Sequence, residues 1–244
     1  MLPTIRGVID RRILVNFRVD PEALDGVLPD PFSPQTVDGY GIAGICLIRF
    51  RDLRPRGFPA QFGVGSENAA HRIAVEWTEE GERRTGVYVP RRDTNSTFNT
   101  LLGGRLFSGV YHHASFETRE SDSRYEVEMT SDDGEAYVQV AGDRADALPA
   151  DSVFDSLSAS SRFFEQGSLG HSPTKRGESY DAMELDAFEW EVTPLDVDSV
   201  GSSYFENSSE FDDDAVEFDH ALLMEDIDHE WHERESVCSA PASN

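Results

Sequence analysis

Between Val110 and Ala141 three segments of strand character follow one another with only turns between them. Val110–Phe116 and Arg124–Thr130 carry the alternation of half-buried strands, and Asp132-Asp133-Gly134 has the chemistry of a hairpin turn into Ala136–Ala141. Strands joined by tight turns pair antiparallel, whereas parallel neighbours need a crossover of about a dozen residues or more. Repeated βαβ units are therefore excluded, and the predicted class is α+β. The rest of the chain agrees. Ile9–Val19 reads as a strand, and Asp20-Pro21 supplies an N-cap and a proline at the first helical position. Ala23, Leu24, Val27 and Leu28 then repeat at helical spacing as far as Pro29. Gly39–Phe50 is an almost wholly apolar strand, Arg51–Gly65 a loop, and His71–Thr78 a strand alternating Ile73, Val75 and Trp77 with polar or small residues. Gly86–Pro90 is a further short strand. Asp93–Ser96 offers N-caps for a helix presenting Phe98, Leu101, Leu102 and Leu106, and Asp151–Phe164 predicts a second amphipathic helix. Gln166–Gly177 reads as loop, and Met183–Leu195 and Val216–Trp231 as strands. No repeat and no linker interrupts the chain, so one β-rich antiparallel domain with about three helices is expected over residues 1–235, and a disordered tail over 236–244.

Charge narrows the function classes. The 244 residues hold 47 Asp and Glu against 21 Lys and Arg, a net charge of −26, which removes the basic surface that nucleic acid requires. With 38% hydrophobic residues the chain is too apolar for a disordered acidic segment. Lys175 is its only lysine; every other basic residue is arginine. Self-repulsion at this charge is tolerable where molar salt cuts the screening length to about 3 Å, so a salt-adapted, halophilic protein is expected. Cys46 lies in an apolar run and Cys238 in a polar tail, which is no disulfide framework. No signal peptide is visible, and the longest nearly apolar run, Tyr40–Ile48, is about half of what a membrane span needs. The expectation is a cytoplasmic protein without a membrane or nucleic-acid partner.

Two constellations bear chemistry. From Gly86 to Phe116 the chain gathers Tyr88, Arg91, Arg92, Asp93, Asn95, Arg105, Tyr111, His112 and His113 around strand ends, where pockets are commonly built. Alternation puts His112 with Ala114 and Phe116, the side expected to face the core. Arg91 or Arg92 suits a paired hydrogen bond to the carboxylate of a small acid, or else an ion pair with one of the many surface acids. The other constellation is His220, His229 and His232 among Glu225, Asp226, Asp228, Glu230 and Glu233. His229 and His232 would share a helical face, but in a strand they point apart, so no metal site is expected. Nothing has the spacing of a phosphate loop, a nucleophile elbow or a zinc helix, and no cofactor is expected.

Several stretches together resemble the YqjF-like family of unknown function, in the acetoacetate decarboxylase-like superfamily. They are Ile13–Asp30, Ile48–Pro59, Glu67-Asn68 with Arg72, Gly86–Asp93, Gly109-Val110-Tyr111-His112 and His220–Asp228. The resemblance implies a β-rich, cone-like or barrel-like antiparallel fold around a central cavity. It also implies a comparison with decarboxylases that use a Schiff-base lysine in a Gly-aromatic-Pro-Lys-Lys setting. The matching stretch here is Gly86-Val87-Tyr88-Val89-Pro90-Arg91-Arg92, and arginine does not serve as that amine nucleophile. Glu67 resembles the pocket glutamate of the superfamily by position. The reading that follows is a non-decarboxylating protein that binds a small carboxylated molecule, with Arg91 or Arg92 on the acid group and Glu67, Arg72, Tyr88 and His112 lining the site. The alternatives are a lyase or hydrolase using Glu67 or His112 as general acid-base, and an interaction module with a filled barrel.

Overall fold

The computed structural model describes residues 3–96, 109–174, 179–206, 211–212 and 214–238. Thirteen strands form one sheet, with three α-helices among the described residues. The strands are β1 (Ile5–Val19), β2 (Ser33–Pro34), β3 (Thr36–Val37), β4 (Tyr40–Pro55), β5 (Val64–Glu79), β6 (Glu82–Thr94), β7 (Tyr111–Glu120), β8 (Arg124–Ser131), β9 (Tyr137–Arg144), β10 (Leu169–Pro173), β11 (Ser179–Ala187), β12 (Thr193–Ser202) and β13 (Val216–Cys238). Helix α1 (Pro21–Val27) begins at the Asp20 cap, as the spacing predicts. Helix α2 (Leu157–Gln166) starts later than Asp151, because the Ser156 side chain accepts from Ala159 N–H and sets the first turn there. Helix α3 spans Ser203–Glu206. The expected helix bearing Phe98, Leu101, Leu102 and Leu106, together with Arg105, lies outside the described residues, as does Lys175.

The sheet closes on itself twice. One ring runs β13–β1–β4–β5–β6–β10–β11 and returns to β13. The other leaves β6 through β7, β8, β9 and β12 and also returns to β13. The long strands β1, β4, β5 and β13 are walls of both, so both their faces are buried. That explains the almost continuous apolar run of β4. Along β1, Ile13, Val15 and Phe17 pack into the larger core while Ile5, Ile9 and Leu14 pack into the smaller one. Gly44 lets β4 approach β1 closely, since a Cβ there would stand 2.1 Å from the Val15 carbonyl oxygen.

Further details differ from the sequence expectation, among them the break of the expected strand Met183–Leu195 into β11 and β12. The pairing is antiparallel except at β6, which meets β7 and β10 in short parallel stretches. Leu169–Pro173 is strand, not loop; its Gly, Ser and Pro give it no apolar period, and its pairing with β11 and β6 creates it. Strand β13 runs through Ser236 to Cys238 and pairs Val237 with Tyr180, so the tail begins later than 236.

Candidate functional site

The two rings differ inside. The larger ring is filled by side chains such as Phe17, Phe205 and Phe211, stacked 5.3 and 5.9 Å apart by centroid. The smaller, seven-strand ring encloses a cavity of about 90 Å³, several times the ~15 Å³ that one water needs. Its apolar wall comes from Ile48 and Phe50 of β4, Val87 and Val89 of β6 and Leu185 of β11, and Phe164 of α2 closes one side.

Three arginines interrupt that wall: Arg12 of β1, Arg72 of β5 and Arg92 of β6. None makes an ion pair with a carboxylate among the described residues, in a chain where most arginines do. Each rests on an aromatic ring instead. The Arg12 guanidinium carbon is 5.6 Å from the Trp190 ring, that of Arg72 4.7 Å from Phe164, and that of Arg92 6.0 Å from Tyr111. Arg92 also donates from Nε and Nη2 to Ser172 Oγ, at 3.2 and 3.1 Å. Among the described residues Asp93 is the one carboxylate on the lining, and Arg91 already holds both its oxygens at 2.9 Å. The cavity is therefore apolar with an excess of positive charge, the arrangement that accepts a small organic anion.

A buried polar chain fixes Arg72. Its Nη2 donates to Asn16 Oδ1, and Asn16 Nδ2 donates 3.2 Å to the Leu14 carbonyl and 3.2 Å to His220 Nε2. Ser160 Oγ also lies 2.7 Å from His220 Nε2, and His220 Nδ1 contacts Asp219. A carboxylate only accepts, so Nδ1 carries the proton and Nε2 receives both donors. Burial alone would raise the Asp219 pKa, but bonds from His220, the Val153 N–H and Ser152 bring it below the ordinary value. Ser160, His220 and Asp219 have the connectivity of a hydrolase triad. All three are buried, with Ser160 and His220 fully so, and none lines the cavity, which makes them a brace for Asn16 and Arg72.

The residues singled out from the sequence separate into two groups. Arg72 and Arg92 line the cavity, whereas Arg91, Glu67, Tyr88 and His112 do not. Arg91 is ringed by Asp93, Asp133, Glu135 and Ser131. Glu67 lies between Arg11 and Arg49, and Tyr88 packs with Phe32 and Tyr180 against the larger core. His112 does not face the core: its side chain is one-third exposed, with Nδ1 2.7 Å from Asp133. His229 is buried against Phe50 while His232 stands half-exposed near Glu230, as a strand requires. No group of three or more metal-binding side chains occurs among the described residues. Arg12 and Cys46 line the cavity without having been singled out. Alternation gave no signal for Arg12, which it groups with Asp10, Leu14 and Asn16.

A bulge decides between Arg91 and Arg92. His71 pairs with Arg91 but Ile73 with Tyr88, so Val89 and Pro90 together oppose Arg72. The extra residue reverses the alternation, and Val87, Val89 and Arg92 all face the cavity.

The chain shares the acetoacetate decarboxylase-like fold with solved structures. Acetoacetate decarboxylase from Legionella pneumophila superposes with a TM-score of 0.61 at 12% identity, covering 98% of this chain and 88% of that one. The enduracididine biosynthesis enzyme MppR, complexed with pyruvate, gives 0.59 at 11% over 99% and 91%. An acetoacetate decarboxylase-like enzyme from Sphingomonas wittichii gives 0.57 at 10% over 98% and 93%. Within that fold class the chain belongs to the YqjF-like family DUF2071, uncharacterized conserved proteins, which it matches over residues 9–208. No curated protein sequence matches it.

Proposed function

We propose that this protein binds a small carboxylated organic molecule in the cavity of the seven-strand ring, with the acid group on Arg92 and Arg72 and the carbon skeleton against Val89, Ile48 and Leu185. The observation that carries the reading is the set of arginines on an apolar lining that have no carboxylate partner among the described residues. The structural relatives support the size class: one is named for acetoacetate and another holds pyruvate. Decarboxylation through a Schiff base is not part of the reading, because arginines occupy the stretch that resembles the lysine motif. Borohydride treatment with acetoacetate or pyruvate should leave the intact mass unchanged; a Lys175 adduct that disappears on unfolding would restore amine chemistry.

The binding test is calorimetric titration in molar KCl with pyruvate, acetoacetate and their neutral amides. Acids should bind and amides should not, and Arg92→Leu should weaken the acids at least tenfold, about 1.4 kcal/mol. Equal heats from acids and amides, or unchanged affinity in the variant, would refute the assignment. Molar salt is chosen because we also read the acidic, single-lysine composition as adaptation to a saline cytoplasm. Among the described residues no helix is long and apolar enough to cross a membrane. Dialysis into dilute buffer should reduce ellipticity; an unchanged spectrum would remove the salt-adapted reading.

A further inference from the structure

Cys46 is a buried residue of β4 on the cavity lining. Its sulfur receives Arg72 Nε at 3.1 Å and Arg12 Nη2 at 3.6 Å. A neutral thiol is a weak acceptor, whereas two charged donors converging on one sulfur match a thiolate. Neither guanidinium has a carboxylate partner among the described residues; besides the sulfur, Arg72 donates to the neutral Asn16 Oδ1 and Arg12 to Met224 Sδ. Burial by itself would raise the thiol pKa, but the charges of Arg72 and Arg12 outweigh it and the net displacement is downward. An independent feature points to a ligand beside the sulfur. Among the described residues Arg72, only 3% exposed, keeps Nη1 without a hydrogen-bond partner, and Arg12 keeps Nε without one. A buried donor left unanswered costs about 1–3 kcal/mol, which an anionic oxygen at the lining would recover.

We propose that Cys46 is the nucleophile of this cavity, a thiolate held by Arg12 and Arg72 that adds to the carbonyl carbon next to the carboxylate of a bound 2-oxo acid. This rests on the carboxylate-binding reading above and supplies its chemistry. The sulfur lone pair forms the S–C bond at C2, and the carbonyl π pair moves onto oxygen beside the guanidiniums. That oxygen takes one proton from water, which replaces the proton the thiol released. Thiol and ketone sum to a hemithioketal, with no change of oxidation state and no leaving group. Arg12 and Arg72 act at both ends of the step, as counter-charge to the sulfur before it and to the alkoxide after it.

Two measurements test the proposal in molar KCl. Carbon-13 NMR of pyruvate labelled at C2 should give a protein-bound tetrahedral resonance with the wild type and none with Cys46→Ser. Alkylation followed by peptide mass spectrometry should show Cys46 reacting at least tenfold faster with iodoacetate than with iodoacetamide, the order reversing when the chain is unfolded in urea. In that probe reaction the S–C bond forms as iodide leaves. Its pH midpoint with iodoacetamide should lie below that of the unfolded chain. Arg92→Leu should remove the preference for iodoacetate and leave that midpoint in place, and it does not require altering the buried Arg72. A missing tetrahedral signal, the same signal in Cys46→Ser, or an iodoacetamide preference at the midpoint of the unfolded chain would each overturn the nucleophile. If calorimetry still records pyruvate binding in those cases, the carboxylate site stands without it; if binding is also absent, both readings fall.

Discussion

Arg91 and Arg92 are consecutive residues of one strand with opposite surroundings. Arg91 is buried in a cluster where Asp93, Asp133 and Glu135 answer its donors. Arg92 faces the cavity and meets a serine hydroxyl and a tyrosine ring. In a chain with 47 acidic residues, neutralising an arginine is the default, so an arginine with no carboxylate partner among the described residues is informative. The first arrangement holds the fold together, and the second leaves a charge available to a ligand.

Among single substitutions, the largest effect separates these roles by stability. Arg91→Leu strands Asp93, which is fully buried, and should cost about 3 kcal/mol or more in urea unfolding. Arg92→Leu removes no ion pair among the described residues and should change stability by less than about 1 kcal/mol. Comparable losses in both variants would erase the distinction. Acid should sharpen it next. Hydrogen bonds and the charge of Arg91 hold the Asp133 carboxyl far below its ordinary pKa against the effect of burial, so the Arg91–Asp133 pair stays charged into acid. The buried histidines respond instead. Burial pushes His171 and His229 down from 6.5 to about 4, and burial with the nearby Arg91 charge pushes His71 to about 3. Both ring nitrogens of each lack hydrogen-bond partners among the described residues. Between about pH 6.5 and 4 the unfolded chain takes up protons that the folded chain refuses, so stability is full above 6.5 and falls as pH drops. The loss should reach on the order of 3 kcal/mol per histidine by pH 4. His171→Phe, set among Phe32 and Trp77, should flatten the decline by one histidine's share; an unchanged slope would exclude His171. The smallest effect is Arg92→Lys, which keeps the charge but loses the paired donors and should weaken pyruvate by about threefold. Unchanged affinity would mean that a point charge suffices.

Much of this was legible before the structure. The turn at Asp132-Asp133-Gly134, the Asp20 cap and the opposed sides of His229 and His232 are local, set by residues within a few positions of one another. The cavity was only half legible. Arg72 and Arg92 could be named because they stand in resembling stretches, but the choice between Arg91 and Arg92 depends on a bulge created by pairing β6 with β5. Cys46, Arg12 and Arg72 meet because β1, β4 and β5 are neighbours in the sheet, and no window of sequence contains all three. Glu67 and His112 have the right chemistry for catalysis, yet the arginines and acids that occupy them come from β1, β4 and the hairpin after β8.

The bulge at Val89 and Pro90 makes this wall a reading frame. Pairing the same residues without the bulge would turn Arg91 inward and Arg92 away from the cavity, with no change in which amino acids are present. Two consecutive basic residues at this point therefore amount to a choice that the register of the strand makes.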